Sequence, residues 1–323
     1  MKAVPAVFRR SEAVIALVLL AAMIFIGLVN PAFWQIDNIF NLLRANVVIG
    51  IVALGVLLVL VSGGLDVSFP AFAAVAMYLT VTAMVRLGYE GVVLPFLCAM
   101  LIGAALGAVN AFFIHKFRMI PLIVTLGTAS VARGLLLGAV GTSVINIDRM
   151  PPSLIDFARS EVTVSGARLT LMIVLYAALA LAVHLLLSRT LLGRSVYAYG
   201  GDRESAKRIG FDARITVFFV YCAAGALAGF AGLLHAAMIW QANPRDFIGL
   251  ELDVIAAVVL GGASIFGGRG SVAGTMLGVF TLVMVNNSLI IMQIDSKWQT
   301  AAVGLIIIIA TAATAWRDRR REA

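Results

Sequence analysis

The chain reads as an all-α polytopic membrane protein of about ten transmembrane helices, and three observations carry that reading. Of its 323 residues, 62% are hydrophobic and 12% charged, about half the charge of an ordinary soluble domain. The apolar residues fall into long runs, many close to the ~20 residues that cross a bilayer as a helix. The charges gather between those runs, where a membrane protein must keep them.

The runs follow in order. Residues 13–29 form the first, preceded by Lys2, Arg9 and Arg10 and closed by Asn30-Pro31. No small-residue cleavage site follows it, so it is read as a span and not a leader. Phe33, Trp34, Ile36, Ile39 and Phe40 among Asp37, Asn38 and Asn41 predict an amphipathic helix at headgroup level. Spans two to five are expected at 47–61, 70–85, 92–114 and 120–140. A polar connection, 141–168, leads to span six at 169–187. The charged segment 189–214 then separates it from span seven at 215–240. A second polar connection, 241–253, precedes a short apolar run at 254–265. Spans nine and ten are expected at 271–291 and 298–316.

Charge orients these crossings. With the N-terminus inside and strict alternation, the inner segments hold Lys2, Arg9, Arg10, Lys116, Arg118, Arg189, Arg194, Arg203, Lys207, Arg208, Arg214, Arg269, Arg317, Arg319, Arg320 and Arg321. That is 16 of the 24 basic residues. Seven fall outside: Arg44, Arg86, Arg149, Arg159, Arg168, Arg245 and Lys297. The excess predicts N-in and C-in, and the even number of crossings this needs makes 254–265 a crossing, complete or not. Five plus five spans would form an inverted repeat, in which the short third and eighth spans correspond. Against it, Gly63-Gly64 and Gly261-Gly262 do not occupy equivalent places. The whole chain, 1–323, is expected to be one transmembrane domain.

Composition excludes several classes. The net charge of +8 is accounted for by inner-side retention, so no nucleic-acid partner is expected. Cys98 and Cys222 lie in apolar runs and read as buried free thiols. His115, His184 and His235 lack metal-ligand spacing, and no metal site is expected. No Walker A pattern, HExxH or GxSxG occurs, so no catalytic residue is expected.

The segment 189–214 carries six basic and three acidic residues. Asp202 is a good N-cap, Arg203 to Ile209 suffice for two helical turns, and Gly210 suits the residue after the helix. Ala206 and Ile209 would share one face. A basic loop held at lipid headgroups is the simpler alternative.

Three other stretches stand out. Gly63, Gly64, Asp66 and Ser68 lie in GGLDVS at a membrane edge. There Asp66 or Ser68 caps span three, with Pro70 in its first turn, or serves gating or partner contact. Arg133 is the one charge deep in a span. It is expected to face the bundle and pair with carbonyls or polar side chains. With Thr125, Thr128 and Ser130 it is a candidate lining of a path, although these do not form one polar stripe. In 251–271, Glu251 and Asp253 favour a helix N-terminus, and the pairs Gly261-Gly262 and Gly267-Gly268 then break it. Glycines four apart recur at 103/107, 134/138, 225/229 and 270/274/278 and predict close helix packing.

Taken together, Gly63-Gly64-Leu65-Asp66-Val67-Ser68, Leu126-Gly127-Thr128 with Arg133-Gly134, Gly193-Arg194 to Gly210, and Glu251 to Gly274 resemble the permease subunits of bacterial sugar ABC importers, the ribose type above all. The resemblance covers nearly the whole chain. It departs at Phe69-Pro70, where the family commonly has Val-Gly. The resemblance implies a multi-pass protein of the bacterial inner membrane and a second permease as partner, identical or sister. It further implies two cassette ATPase subunits that hold ATP and Mg, and a periplasmic binding protein that delivers a monosaccharide or similar polar solute. This chain itself would bind no cofactor. The ATPase-coupling positions would be Tyr197, Gly200, Gly201, Asp202, Arg203, Ala206, Ile209 and Gly210. Alternatives are a permease for amino acids or nucleosides in a related importer, or an ion-coupled secondary transporter. A membrane-embedded enzyme would need convergent catalytic groups.

Overall fold

The computed structural model describes residues 30–164 and 167–291, with a few separate residues of the first and last apolar runs. The spans expected at 13–29 and 298–316 therefore lie largely outside the described residues. Among those described, the chain is nearly all helical, and seven helices are long and apolar enough to cross a membrane.

The first of these, α1 (Ile36–Val61), follows a 3₁₀ turn at Pro31–Trp34. Asn38 donates to the Phe33 carbonyl at 2.9 Å and pins the entry. This corrects the headgroup-level helix expected around 33–41. The turn leads directly into the span, and Ile36 to Asn41 are the first turns of α1 itself. Pro70 sits at the start of α2 (Phe69–Leu87), which ends at Gly88 in the left-handed region at φ 60°. The helix α3 (Val93–Lys116) stops before Pro121, where α4 (Pro121–Leu135) starts; the restricted residue before a proline separates the two. A π-helical turn, Leu136–Val140, extends α4.

The connection 141–168 is more structured than its polar composition suggests. It holds a short helix, α5 (Pro152–Arg159), and an antiparallel hairpin of β1 (Glu161–Val164) and β2 (Ala167–Thr170). The expected all-α class thus needs this one amendment. Then come α6 (Leu171–Arg189), α7 (Leu191–Gly201), α8 (Arg203–Arg208) and α9 (Ala213–Ile239). Thr190 caps α7 by accepting from the Gly193 amide at 3.0 Å. Asp212 caps α9 through the Arg214 amide at 2.7 Å. The short apolar run forms α10 (Leu250–Leu260), entered through Gly249 at φ 86°. Its 11 residues rise only about 16 Å, roughly half the hydrocarbon thickness. It is followed by α11 (Val272–Ile291).

Burial decides which helices are central. The spanning part of α1 is 83% buried and that of α9 67%, whereas α4 is 22% buried. α9 packs on α1, α2 and α3; α11 packs on α1 and α10; α6 lies against α1, and α4 against α2 and α3. In lipid no hydrophobic force drives helices together, so close backbone approach must supply the attraction. Small residues permit it. A Cβ on Gly103 would collide with the Gly225 carbonyl, and one on Gly225 with that of Gly103. Gly229 meets Ala99 the same way, and Gly278 meets Ala257. Gly134 and Gly138 break the expected pattern: nothing lies within 4 Å of where their Cβ would be. Among the described residues, nothing packs against them.

The connections alternate between ends. At one end Ile145 and Ala242 exchange backbone hydrogen bonds of 3.0 and 2.9 Å, and Arg159 lies 4.4 Å above the Trp240 ring. At the other, the turns after α1, α7 and α10 converge.

Candidate functional site

That convergence is made of glycine backbone. At the end of α1 the chain turns through Gly63, in the left-handed region at φ 75°. The loop after α10 returns through Gly267 and Gly268, at φ 90° and 72°. The Gly268 amide donates to the Val61 carbonyl at 2.9 Å. Gly200, the penultimate residue of α7, is wedged between them: a Cβ there would strike the Val61 carbonyl oxygen and lie 2.9 Å from the Gly268 amide. A Cβ on Gly267 would lie 2.8 Å from the Gly63 Cα. One residue on, Gly201 is open, with nothing within 4 Å. Tyr197, a turn earlier on α7, donates its hydroxyl to the Gly270 carbonyl at 2.7 Å, and burial pushes that phenol up from its ordinary value. Three stretches far apart in the chain thus meet in one joint.

A buried polar relay leaves the joint on the other side. Asp66 is 4% exposed and accepts from the Ser68 amide at 2.7 Å and from the Ser68 hydroxyl. Burial pushes its carboxyl up, and the two Ser68 hydrogen bonds pull it back. It therefore shapes the approach to α2, whereas the Ser68 side chain makes no cap of its own. Asn110 on α3, fully buried, donates to the Ser68 hydroxyl at 2.8 Å. Its carbonyl oxygen accepts from Thr128 on α4 at 2.6 Å. The Thr125 hydroxyl lies 3.4 Å from the Leu65 carbonyl and 3.3 Å from the Val67 amide. Tyr221 of α9 brings a buried hydroxyl, without a hydrogen-bond partner among the described residues, up to Gly64.

The expected residues divide accordingly. Thr125 and Thr128 turn into the bundle, while Ser130 is exposed and bonded only within its own helix, to Leu126 at 3.0 Å. Arg133 is half-buried; no hydrogen bond or ion pair joins it to the described residues, so the expected pairing is absent. Glu251 and Asp253 occupy the first turn of α10, at the far end from Gly261 and Gly262. Gly261 packs against Gly274, and Gly262 turns the chain at φ 89°. Asp202 caps α8 through the Glu204 amide at 3.0 Å. Hydrogen bonds from Ser205, then from Glu204, hold its carboxyl below the usual range. Gly210 ends the segment at φ 93°. Ala206 and Ile209 do not share a face: Ala206 is 2% exposed and Ile209 70%. Arg203 lies 5.0 Å over the Tyr199 ring. Asn110 and Tyr221 were missed in the sequence. An amide inside an apolar run was the available signal for Asn110, since such groups are costly in lipid and keep to the bundle interior.

The sequence has known relatives. Residues 38–311 match the family described as branched-chain amino acid transport system / permease component. The chain is 31% identical to the ribose import permease protein of Haemophilus influenzae over 308 residues, covering 93% of this chain and 91% of that one. It is 33% identical to the ribose import permease protein of Bacillus subtilis, covering 89% and 88%. It is 32% identical to the galactose/methyl galactoside import permease protein of Escherichia coli, covering 96% and 94%. No solved structure matches the chain. With most of its length matched and seven apolar helices in place, this chain belongs to the permease-component family and is a multi-pass transport component of the inner membrane.

Proposed function

We propose that the chain forms the translocation path of an ATP-driven importer for a monosaccharide or a similar small polar solute. The observation that carries this reading is the joint. A solvent-exposed segment with a capped helix is fastened, through backbone contacts, to the ends of α1 and α10. Such a surface suits a soluble motor better than a headgroup anchor does, because lipid contact would not call for a rigid seat.

In this reading 189–214 is the coupling loop. Its exposed residues, among them Ile209, Arg203 and Asp202, face a cassette ATPase, which holds ATP and Mg. Tyr197 and Gly200 belong to the seat, Gly201 lies open beside it, and Gly210 ends the loop. A periplasmic binding protein delivers the solute at the opposite end, and a second permease, identical or sister, completes the path. Ser130 and Arg133 on the open side of α4 are the lining candidates. ATP binding shifts the population between outward- and inward-open states, and this chain makes or breaks no covalent bond.

The arrangement of helices favours the inverted five-plus-five repeat. Under it α3 on α9 corresponds to α11 on α1, α2 on α9 to α10 on α1, and α2 on α3 to α10 on α11; each of these pairs is in contact. With 16 of 24 basic residues on the inner side, we place both termini in the cytoplasm. The joint is then cytoplasmic and the Ile145–Ala242 end periplasmic.

The test is uptake by the complex purified from native membranes through this chain and reconstituted into vesicles. ATP-dependent accumulation of ribose or galactose is expected. The family description makes an amino-acid substrate the second reading, and ATP-dependent leucine uptake would favour it. Uptake by this chain alone, driven by an ion gradient without ATP, would overturn both.

A further inference from the structure

We propose that Asn110 is a positioning residue that passes movement of the 189–214 segment to α4. The inference rests on the importer reading above and adds a route to it. Among the described residues, the side-chain hydrogen bonds from α4 to other elements come from Thr125 and Thr128. Those of Thr125 are long, at 3.3 and 3.4 Å. The Thr128 bond to Asn110 is 2.6 Å. The other end of the same amide holds Ser68 at 2.8 Å, and Ser68 is held by Asp66. Asp66 is three residues from Gly63, which touches Gly200 and Gly267 in the joint.

Asn110 therefore uses both ends of one planar amide, one toward the turn after α1 and one toward α4. It is fully buried, so water cannot replace either partner, and the group must move with both neighbours or lose a bond. On the opposite side of α4, Gly127, Gly134 and Gly138 meet nothing within 4 Å among the described residues. A helix anchored along one face, with its shortest side-chain bond at Asn110, is suited to being displaced as a unit.

The experiment uses the reconstituted complex with Cys98 and Cys222 replaced by alanine, after confirming that uptake persists. Two single-cysteine reporters are read with a maleimide, with and without a non-hydrolysable ATP analogue: Ser130→Cys on α4 and Ile209→Cys on the coupling loop. Both labelling rates are expected to change about fivefold or more with nucleotide, the size of an ordinary allosteric coupling. Asn110→Leu and the isosteric Thr128→Val should abolish the response at Ser130→Cys and keep that at Ile209→Cys. Thr128→Ser, which retains the hydroxyl, should restore it. A merely structural role would alter labelling equally in both nucleotide states. A full response at Ser130→Cys in either Asn110→Leu or Thr128→Val would overturn the proposal. No response at Ile209→Cys in the parent would instead overturn the importer reading.

Discussion

Two sets of glycines with the same spacing do opposite things in this molecule. Gly103 and Gly107 on α3 press against α9 so closely that neither could carry a Cβ. Gly134 and Gly138, on α4 and its π-helical extension, face open space. The first set closes α3 directly against α9. The second marks the side of the chain that the bundle leaves uncovered. Four-residue spacing therefore indicates a smooth strip on a helix and says nothing about what lies against it.

The sharpest way to break this comparison is to fill both strips. Gly225→Leu should cost about 1–3 kcal/mol or prevent assembly outright, because α3 and α9 have no room to separate. Gly134→Leu should stay within about 0.5 kcal/mol in the isolated chain. Thermal unfolding in detergent, followed by size-exclusion profile, reads both. Equal destabilisation would mean that the Gly134 face of α4 is packed after all.

The same contrast holds within the 189–214 segment. Ala206→Asp places a charge at a site 2% exposed and should reduce the folded yield, since an unpaired buried charge is among the costliest changes. Ile209→Asp, at a site 70% exposed, should leave stability within about 0.5 kcal/mol but lower recovery of the ATPase in pull-downs. Recovery equal to the parent would remove Ile209 from the docking surface. Tyr197→Phe removes one hydrogen bond to Gly270 and should cost about 0.5–1.5 kcal/mol, with uptake per ATP hydrolysed falling further than stability does. The smallest effect concerns pH. The Asp202 carboxyl is held below 3.8 in the folded chain. Its cap thus stabilises α8 fully above that value and is lost as pH falls through the lower, folded-state value. Amide exchange at Glu204 and Ser205 should show protection that declines only in that acidic window, and Asp202→Ala should remove the dependence.

Much of this was legible in the chain. The spans could be read from length and hydropathy, and the caps at Asp202 and Gly210 from residue chemistry. The joint was not, although all of its parts were visible. Gly63, Gly200 and Gly267 are separated by more than a hundred residues or by whole helices, and nothing local to any of them specifies the other two. Asn110 was hidden for a related reason: one amide in an apolar run acquires meaning only when Ser68 and Thr128 arrive on either side. The strand pair β1–β2 was missed because polar composition was read as irregular backbone, and the early start of α1 at Ile36 because its amphipathic first turns were read as a separate helix at headgroup level. A backbone pairs its own polar groups wherever it can. The burial of Ala206 beside an exposed Ile209 shows that a three-residue offset on a six-residue helix does not guarantee a shared surface.

If the 189–214 segment couples ATP hydrolysis to transport, it must be seated rigidly on the bundle through Gly200. Adjacent glycines provide the test, because a Cβ on Gly200 collides with the Val61 carbonyl whereas one on Gly201 meets nothing. Uptake per ATP hydrolysed should be measured in vesicles for Gly200→Ala and Gly201→Ala. The account predicts a marked loss for Gly200→Ala, with ATP hydrolysis continuing, and near-parental coupling for Gly201→Ala. Parental coupling in Gly200→Ala, or equal loss in both, would contradict it.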